Sequence, residues 1–167
     1  IYVLVSGNKN FQAGNYEFTR DMSTKDIVKS LNSGDVIKNL KASSRITLKE
    51  GITLKEMLKL ISEETNLDYD KSIKDINDKA FLKGLIADYW FLTEDILDED
   101  IYYALEGYLF PETYDFYKDT TLDQVVRKML NVTNEKLSPL KNEITSNKLS
   151  VHELLTIASI AEKEANS

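Results

Sequence analysis

The last apolar segment of the chain carries two carboxylates at its end. Residues 154–165 have the sequence LLTIASIAEKEA, in which Glu162 and Glu164 follow a run of apolar and small residues. On a helical wheel Glu162 falls between Val151 and Leu155, inside the apolar arc, whereas Glu164 lies nearer its boundary and is interpreted as structural. An apolar environment disfavours the charged form of a carboxyl group and raises the pKa, as a general acid working near neutral pH requires. Glu162 is therefore the candidate catalytic residue.

A non-catalytic interpretation of Glu162 stays open. The helix could fray at its end, so that the carboxyl group is solvated there or paired with Lys163 or another base. His152, the only histidine, lies on the polar face of the same segment and is predicted to be a surface residue. No serine lies in a nucleophile-elbow context and the sequence has no cysteine, so neither triad hydrolysis nor thiol chemistry is predicted.

Aromatic residues are concentrated in one stretch. Residues 102–117, YYALEGYLFPETYDFY, hold seven of the sixteen aromatic residues. Alternating rings predict strands around Tyr108 and Phe110 and around Tyr114 and Phe116. One interpretation is a loop or strand pair packed on the core by its rings. The other is a groove whose rings stack on an extended ligand such as a sugar chain. The polar residues that would serve it as hydrogen-bonding partners are Glu106, Glu112, Thr113 and Asp115.

Capping patterns locate the helices that must position these residues. Four helix starts carry a capping pair, namely Ser23 with Asp26, Thr53 with Glu56, Thr121 with Gln124 and Ser150 with Glu153. Residues 68–89 are also predicted to be helical, with a charged outer face. Short strands are predicted at residues 1–5, 15–20 and 46–48. Helices combined with several short strands predict an α+β fold.

Charge and hydropathy exclude several classes of partner. The formal net charge of the 167 residues is −7, which provides no basic footprint for nucleic acid. No apolar run approaches the roughly 18 residues of a membrane-spanning helix. The acidic segment at residues 92–100, LTEDILDED, is predicted to be a solvated surface, with a metal site as the alternative. We predict no metal and no cofactor.

Several segments resemble the YceG-like (MltG) family of endolytic murein transglycosylases. The sequences LEGYLFPETY at 105–114 and ASIAEKE at 158–164 look like its two signature segments, in the same order and with similar spacing. RITLKEGIT at 45–53 resembles the strand and glycine turn that open its catalytic domain, and residues 11–34 are similar to its LysM-like subdomain. The resemblance implies a LysM-like subdomain at 1–44 and the N-terminal part of the catalytic domain at 45–167.

The resemblance also implies a reaction and a location. The family's catalytic glutamate falls on Glu162, as general acid and then base in a lyase reaction on peptidoglycan glycan strands. The enzyme would cleave the MurNAc-GlcNAc β-1,4 bond in nascent strands and leave 1,6-anhydro-MurNAc ends. It would be anchored in the cytoplasmic membrane by an N-terminal helix absent from this chain, with its domains outside and cell-wall synthesis proteins as candidate partners. The residues placed by position in the sugar groove are Glu106, Tyr108, Glu112, Thr113 and Tyr114, with Glu112 as the preferred second carboxyl for stabilising oxocarbenium charge.

One departure from the family pattern and one alternative function remain. The family's catalytic domain continues well beyond its glutamate, whereas this chain ends five residues after Glu162. We therefore expect the 167-residue piece to be inactive, or nearly so, by itself. The alternative is a non-catalytic module that binds peptidoglycan or acts as a scaffold in the cell-wall synthesis machinery. A binding module has no need for the Glu162 carboxyl, so replacing it with glutamine separates the two functions.

Overall fold

The computed structural model of the protein describes residues 22–33 and 43–165. The chain divides into two compact units, Ile1–Ala42 and Ser43–Ser167. The strands predicted at residues 1–5 and 15–20, and most of the predicted LysM-like subdomain, lie outside the described residues.

The described part of the first unit is one helix, α1, at Thr24–Ser33. The Asp26 backbone N–H donates to the Ser23 hydroxyl at 3.3 Å, and the Ser23 N–H donates back to the Asp26 carboxylate at 3.2 Å. This reciprocal arrangement is a capping box, so the predicted start of the helix is confirmed. Val28 is buried on this helix.

The described part of the second unit combines helices with a small sheet. Its helices are α2 at Leu54–Glu64, α3 at Tyr69–Asp75, α4 at Lys79–Asp88, α5 at Leu122–Leu137, α6 at Lys141–Thr145 and α7 at Val151–Ala165. Short 3-10 helices lie at Glu94–Leu97 and Ser138–Leu140. Strands β1 at Ser43–Thr47 and β2 at Thr113–Tyr117 pair antiparallel. The predicted α+β fold class is confirmed.

The sheet follows the period-two pattern of its sequence. Tyr114 and Phe116 of β2 are buried, while the residues between and beside them are exposed. Ile46 of β1 lies opposite Tyr114 and is buried with it. On the exposed face the Arg45 guanidinium donates to the Asp115 carboxylate at 3.0 Å. The strands predicted around residues 46 and 114–116 are therefore confirmed.

Side-chain caps begin the helices where the sequence predicts. Capping boxes start α2 at Thr53 and α5 at Thr121. At the start of α7 the Ser150 N–H donates to the Glu153 carboxylate at 2.7 Å, and the Glu153 N–H donates to the Ser150 hydroxyl at 3.2 Å. The helical segment at residues 68–89 consists of two helices, because the Asp78 carboxylate accepts the N–H of Phe81 and starts α4 anew.

A single apolar core lies between α2, α4, α5 and the sheet of this unit. Helix α2 presents a buried stripe with helical spacing, at Leu54, Met57, Leu58 and Ile61. Helix α5 contributes a matching stripe, at Val125, Val126, Met129, Leu130 and Thr133. The segment between α4 and β2 adds Phe91, Leu105 and Tyr108, each with almost no exposed surface.

The chain around residues 104–109 forms turns, so the strand predicted around Tyr108 and Phe110 is wrong. Gly107 has a φ of +79°, a left-handed conformation that bends the chain just before Tyr108. The carbonyl groups that a strand would offer to a neighbour accept side-chain hydrogen bonds here. The Thr133 hydroxyl donates to the Tyr108 carbonyl, and the Tyr114 hydroxyl donates to the Phe110 carbonyl, both at 2.6 Å.

The acidic segment at residues 92–100 lies on the surface as predicted. Its carboxylates are exposed while Ile96 is buried beneath them. Across residues 22–33 and 43–165, no cluster of three or more His, Asp or Glu side chains is arranged to hold a metal ion. Over the same residues, no helix has the length and hydropathy needed to cross a bilayer.

Candidate functional site

A cleft of about 570 Å³ follows one side of α7. Two further segments line it. One is the glycine turn with the first residues of α2, at 51–57, and the other is the turn segment at 101–111. The α7 residues that line it are His152, Leu155, Thr156, Ser159, Glu162 and Lys163. Their spacing of three or four residues places them on one side of the helix.

A second cavity, of about 590 Å³, lies where α3, α4 and α5 begin. Its polar residues serve the helix starts, because the carboxylates of Asp68 and Asp78 accept the first N–H groups of α3 and α4, and Thr121 caps α5. These side chains are committed to the fold. The cleft along α7 is therefore the better candidate for chemistry.

Glu162 lies on the cleft wall opposite a glycine turn. A methyl group added at Gly51 would stand 4.0 Å from the Glu162 Oε1 atom. Gly51 has a φ of +74°, a left-handed conformation that favours glycine, and the turn it forms lies beside the Glu162 carboxyl group. The catalytic candidate selected from the sequence therefore faces an accessible cleft.

The dehydrated surroundings expected for Glu162 are not found. Residues 156–165 of α7 are all exposed, Glu162 among them. Val151 and Leu155, the neighbours of Glu162 on the helical wheel, are half-buried, but Ala158 on the same arc is exposed, so the cover ends before Glu162 is reached. A wheel predicts which residues share a face, but only packing partners decide whether that face is dry.

The prediction that His152 is a surface residue is wrong. The His152 ring is half-buried and lines the cleft. Its Nδ1 atom lies 3.1 Å from the Tyr108 hydroxyl, and the two rings stack with centroids 6.0 Å apart. Thr156 and Ser159, on the same side of α7, also line the cleft, but both are exposed. The contact of His152 with Tyr108 joins residues 44 positions apart, and no local pattern in the sequence signals it.

Glu106 is the other carboxyl among the described residues that line this cleft. Its two oxygens accept the Leu54 N–H at 3.1 and 3.2 Å, which ties it to the start of α2. The residue is exposed overall, but these hydrogen bonds are partly buried. Partial burial raises the pKa of Glu106, the Leu54 hydrogen bond opposes that shift, and the nearby Glu56 charge adds to it. These hydrogen bonds hold the Glu106 side chain against the start of α2, next to the glycine turn.

We expect Glu106→Gln to flatten part of the pH dependence of stability. Because its pKa is raised, the folded state binds the Glu106 proton more tightly than the unfolded state, so the associated stability is present below about pH 4.3 and is lost as the pH rises through the raised pKa. The glutamine oxygen can still accept the Leu54 N–H. Thermal unfolding at a series of pH values should show that the stability of the variant, relative to that of the wild-type protein, increases as the pH rises. A relative stability of the variant that increases as the pH falls would contradict a raised pKa of Glu106.

Tyr108 lies under the cleft wall as a buried residue. Its side chain has 1% of its surface exposed, and burial raises the pKa of its hydroxyl well above the usual value. The phenol is therefore neutral at physiological pH. Tyr108 and Glu106 are the two predicted groove residues that the structure brings to the cleft.

The other three predicted groove residues do not line the cleft. Glu112 is exposed and its carboxylate accepts the N–H of its neighbour Thr113. The Thr113 hydroxyl lies 3.0 Å from that of Thr47 across the sheet, and Tyr114 is buried on the inner face of β2. The preference for Glu112 as a second carboxyl is thus not supported by its position. Glu106 is the second carboxyl that lines the cleft.

The chain resembles enzymes that act on murein. An endolytic murein transglycosylase of Bacillus subtilis (strain 168) is 36% identical over 166 residues, covering 98% of this chain and 45% of the relative. An endolytic murein transglycosylase of Streptococcus pneumoniae serotype 2 is 32% identical over 171 residues, covering 98% of this chain and 31% of the relative. The chain therefore spans less than half the length of these two relatives.

Comparison with solved structures and with family profiles agrees with these relatives. The crystal structure of a YceG-like protein from Listeria monocytogenes matches with a TM-score of 0.68 and 34% sequence identity, covering 98% of this chain and 53% of that one. The profile of the YceG-like family matches residues 1–167, the whole of the chain. This chain belongs to the YceG-like family.

Proposed function

We propose that the protein is an endolytic peptidoglycan lytic transglycosylase in which Glu162 is the general acid and base. The observation that carries the proposal is the position of Glu162, on the wall of an open cleft and facing the turn at Gly51. The relatives named endolytic murein transglycosylases support peptidoglycan as the substrate class. The bond cleaved would be the β-1,4 bond between MurNAc and GlcNAc within a glycan strand.

The first half of the reaction breaks that bond. The protonated Glu162 carboxyl donates its proton to the glycosidic oxygen, which leaves as the 4-hydroxyl of GlcNAc. Positive charge then develops at C1 of MurNAc, as in other glycosidic cleavages. The Glu106 carboxylate, on the facing wall, is the group whose charge favours that state.

The second half closes a ring without water. The MurNAc 6-hydroxyl attacks C1 and gives its proton to the Glu162 carboxylate, which is thereby returned to its protonated form. One C–O bond is broken and one is formed, and the product is a 1,6-anhydro end. Because the nucleophile belongs to the same sugar, proximity lowers the barrier without a bound water molecule.

Substrate binding would supply the dry surroundings that the exposed Glu162 carboxyl group lacks. Glu162 is exposed along with its neighbours on α7. A glycan strand lying in the cleft would cover the carboxyl group and displace its water.

The proposal extends to the location of the whole protein. We place the catalytic part outside the cytoplasmic membrane, held there by an N-terminal membrane helix, where nascent glycan strands are made. Proteins of the cell-wall synthesis machinery are its proposed partners. Cell fractionation with protease accessibility from the outer side tests this placement, and a cytoplasmic pool protected from protease would contradict it.

Product analysis on purified, uncrosslinked glycan strands tests the activity. The natural full-length polypeptide that contains this chain is incubated with the strands, and internal fragments are identified by mass spectrometry. We expect fragments ending in 1,6-anhydro-MurNAc. Reducing ends would point to hydrolysis, while bound but uncut strands would support the non-catalytic peptidoglycan-binding module.

A further inference from the structure

Two adjacent tyrosines extend the cleft at one end. Tyr103 lines the cleft and is half-buried, whereas Tyr102 is 81% exposed. Their ring centroids are 4.8 Å apart with the ring planes at 89°, so the edge of one ring meets the face of the other. An aromatic ring exposed to this degree buries little apolar surface and contributes little to the core.

The backbone that carries these rings is fixed by one side chain. The Asn77 amide donates to the Tyr102 carbonyl at 2.8 Å, and the Asn77 amide oxygen accepts the Ala104 N–H at 3.2 Å. Ala104 and Leu105, which follow directly, are buried in the core. The exposed ring thus stands on a rigid base, which reduces the entropy lost when a ligand stacks on it.

The residue next to the tyrosine pair lies near the first turn of α7, whereas Glu162 lies near the end of that helix. Ile101, the residue before the pair, shares a neighbouring surface pocket with His152 at the first turn of α7. Glu162 lies ten residues further along the same helix, or about 15 Å along its axis. The distance corresponds to a few sugar units of an extended strand, so the pair would contact sugars remote from the cleaved bond.

We propose that Tyr102 and Tyr103 form a distal aromatic subsite that stacks on a pyranose ring of the glycan strand. The proposal rests on the proposed function of the same cleft. A β-linked pyranose presents C–H groups on its faces and hydroxyls at its edges, and the negative face of an aromatic ring attracts such C–H groups. The exposed face of Tyr102 offers that surface, and its hydroxyl stays in water.

A distal subsite makes binding depend on the length of the strand. Only a strand that reaches from Glu162 to Tyr102 can use the ring, so short fragments gain nothing from it. Binding energy from a remote contact of this kind holds the substrate in register with the catalytic group.

Binding of glycans of two lengths tests the subsite. The full-length protein carrying Glu162→Gln, which prevents turnover, is titrated calorimetrically with long uncrosslinked strands and with a disaccharide fragment. Adding Tyr102→Ala should weaken binding of long strands about fivefold and leave the fragment unaffected. Tyr102→Phe, which keeps the ring, should remain within about twofold.

Tyr117→Ala is the matched control for loss of an exposed tyrosine. Tyr117 is 48% exposed on β2 and does not line the cleft, so its loss should leave binding unchanged. Unchanged affinity of Tyr102→Ala for long strands would overturn the proposal, and so would an absence of binding before Tyr102 is changed. If the wild-type protein forms no anhydro ends but Tyr102→Ala still weakens the binding of long strands only, the lyase proposal would be contradicted and the subsite proposal supported.

Discussion

Glu162→Gln is expected to slow the formation of anhydro ends by about 10²- to 10⁴-fold, the range for loss of a general acid or base. Glutamine has nearly the same shape but can neither give nor take the proton that moves in both halves of the reaction. The side chain is exposed in the cleft, so the exchange removes no packing. Rates measured on uncrosslinked strands should therefore fall while glycan affinity and thermal stability stay unchanged.

Glu164→Gln is the matched control for this change. Glu164 lies on the same last turns of α7 and is exposed, but it does not line the cleft. The substitution removes the same charge and should leave the rate within about twofold. Equal losses in the two variants would indicate a general charge effect instead of proton transfer by Glu162.

Leu105→Ala is expected to lower the free energy of unfolding by about 2–5 kcal/mol. Leu105 is fully buried and belongs to the apolar core of the second unit. Leu105 belongs to the cleft wall that carries Glu106 and Tyr108, so its truncation would leave a cavity in that wall. Chemical denaturation of the full-length protein measures the loss as a fall in the transition midpoint.

Leu60→Ala provides the comparison for that stability change. Leu60 is 38% exposed on α2, so its truncation should cost no more than about 0.5 kcal/mol. Equal effects of the two substitutions would contradict the described core. If Leu105→Ala leaves too little folded protein, the milder Leu105→Val should show a smaller loss in the same direction.

Local signals in the sequence predict the elements of this fold well. Capping pairs such as Thr53 with Glu56 act within one helical turn, so the sequence alone contains both partners. The alternation at Tyr114 and Phe116 likewise depends only on the pleat of one strand. Tyr108 and Phe110 show the same alternation but lie in a turn and the irregular segment after it, because Gly107 and the long-range hydrogen bond from Thr133 decide the local conformation.

The candidate site was only partly predictable because its contacts are long-range. Glu162 could be selected from one helix and from a family signature. The contact of Glu106 with the start of α2 joins residues 52 positions apart, and periodicity does not reveal it. For the same reason Glu112, from its place in the aromatic stretch, was preferred over Glu106 as the second carboxyl. The sequence signal that separates the two carboxyls is Gly107, which marks a turn beside Glu106.

The most direct test of Glu162 as the acid and base of a lyase is the fate of solvent oxygen. The full-length wild-type protein and its Glu162→Gln variant are each incubated with uncrosslinked glycan strands in H₂¹⁸O. The masses of the fragments are then measured by mass spectrometry. We predict 1,6-anhydro-MurNAc ends without ¹⁸O from the wild-type protein and formation of such ends at least about 100-fold slower by the variant. Ends that carry ¹⁸O, or anhydro ends formed equally by the variant, would contradict the account.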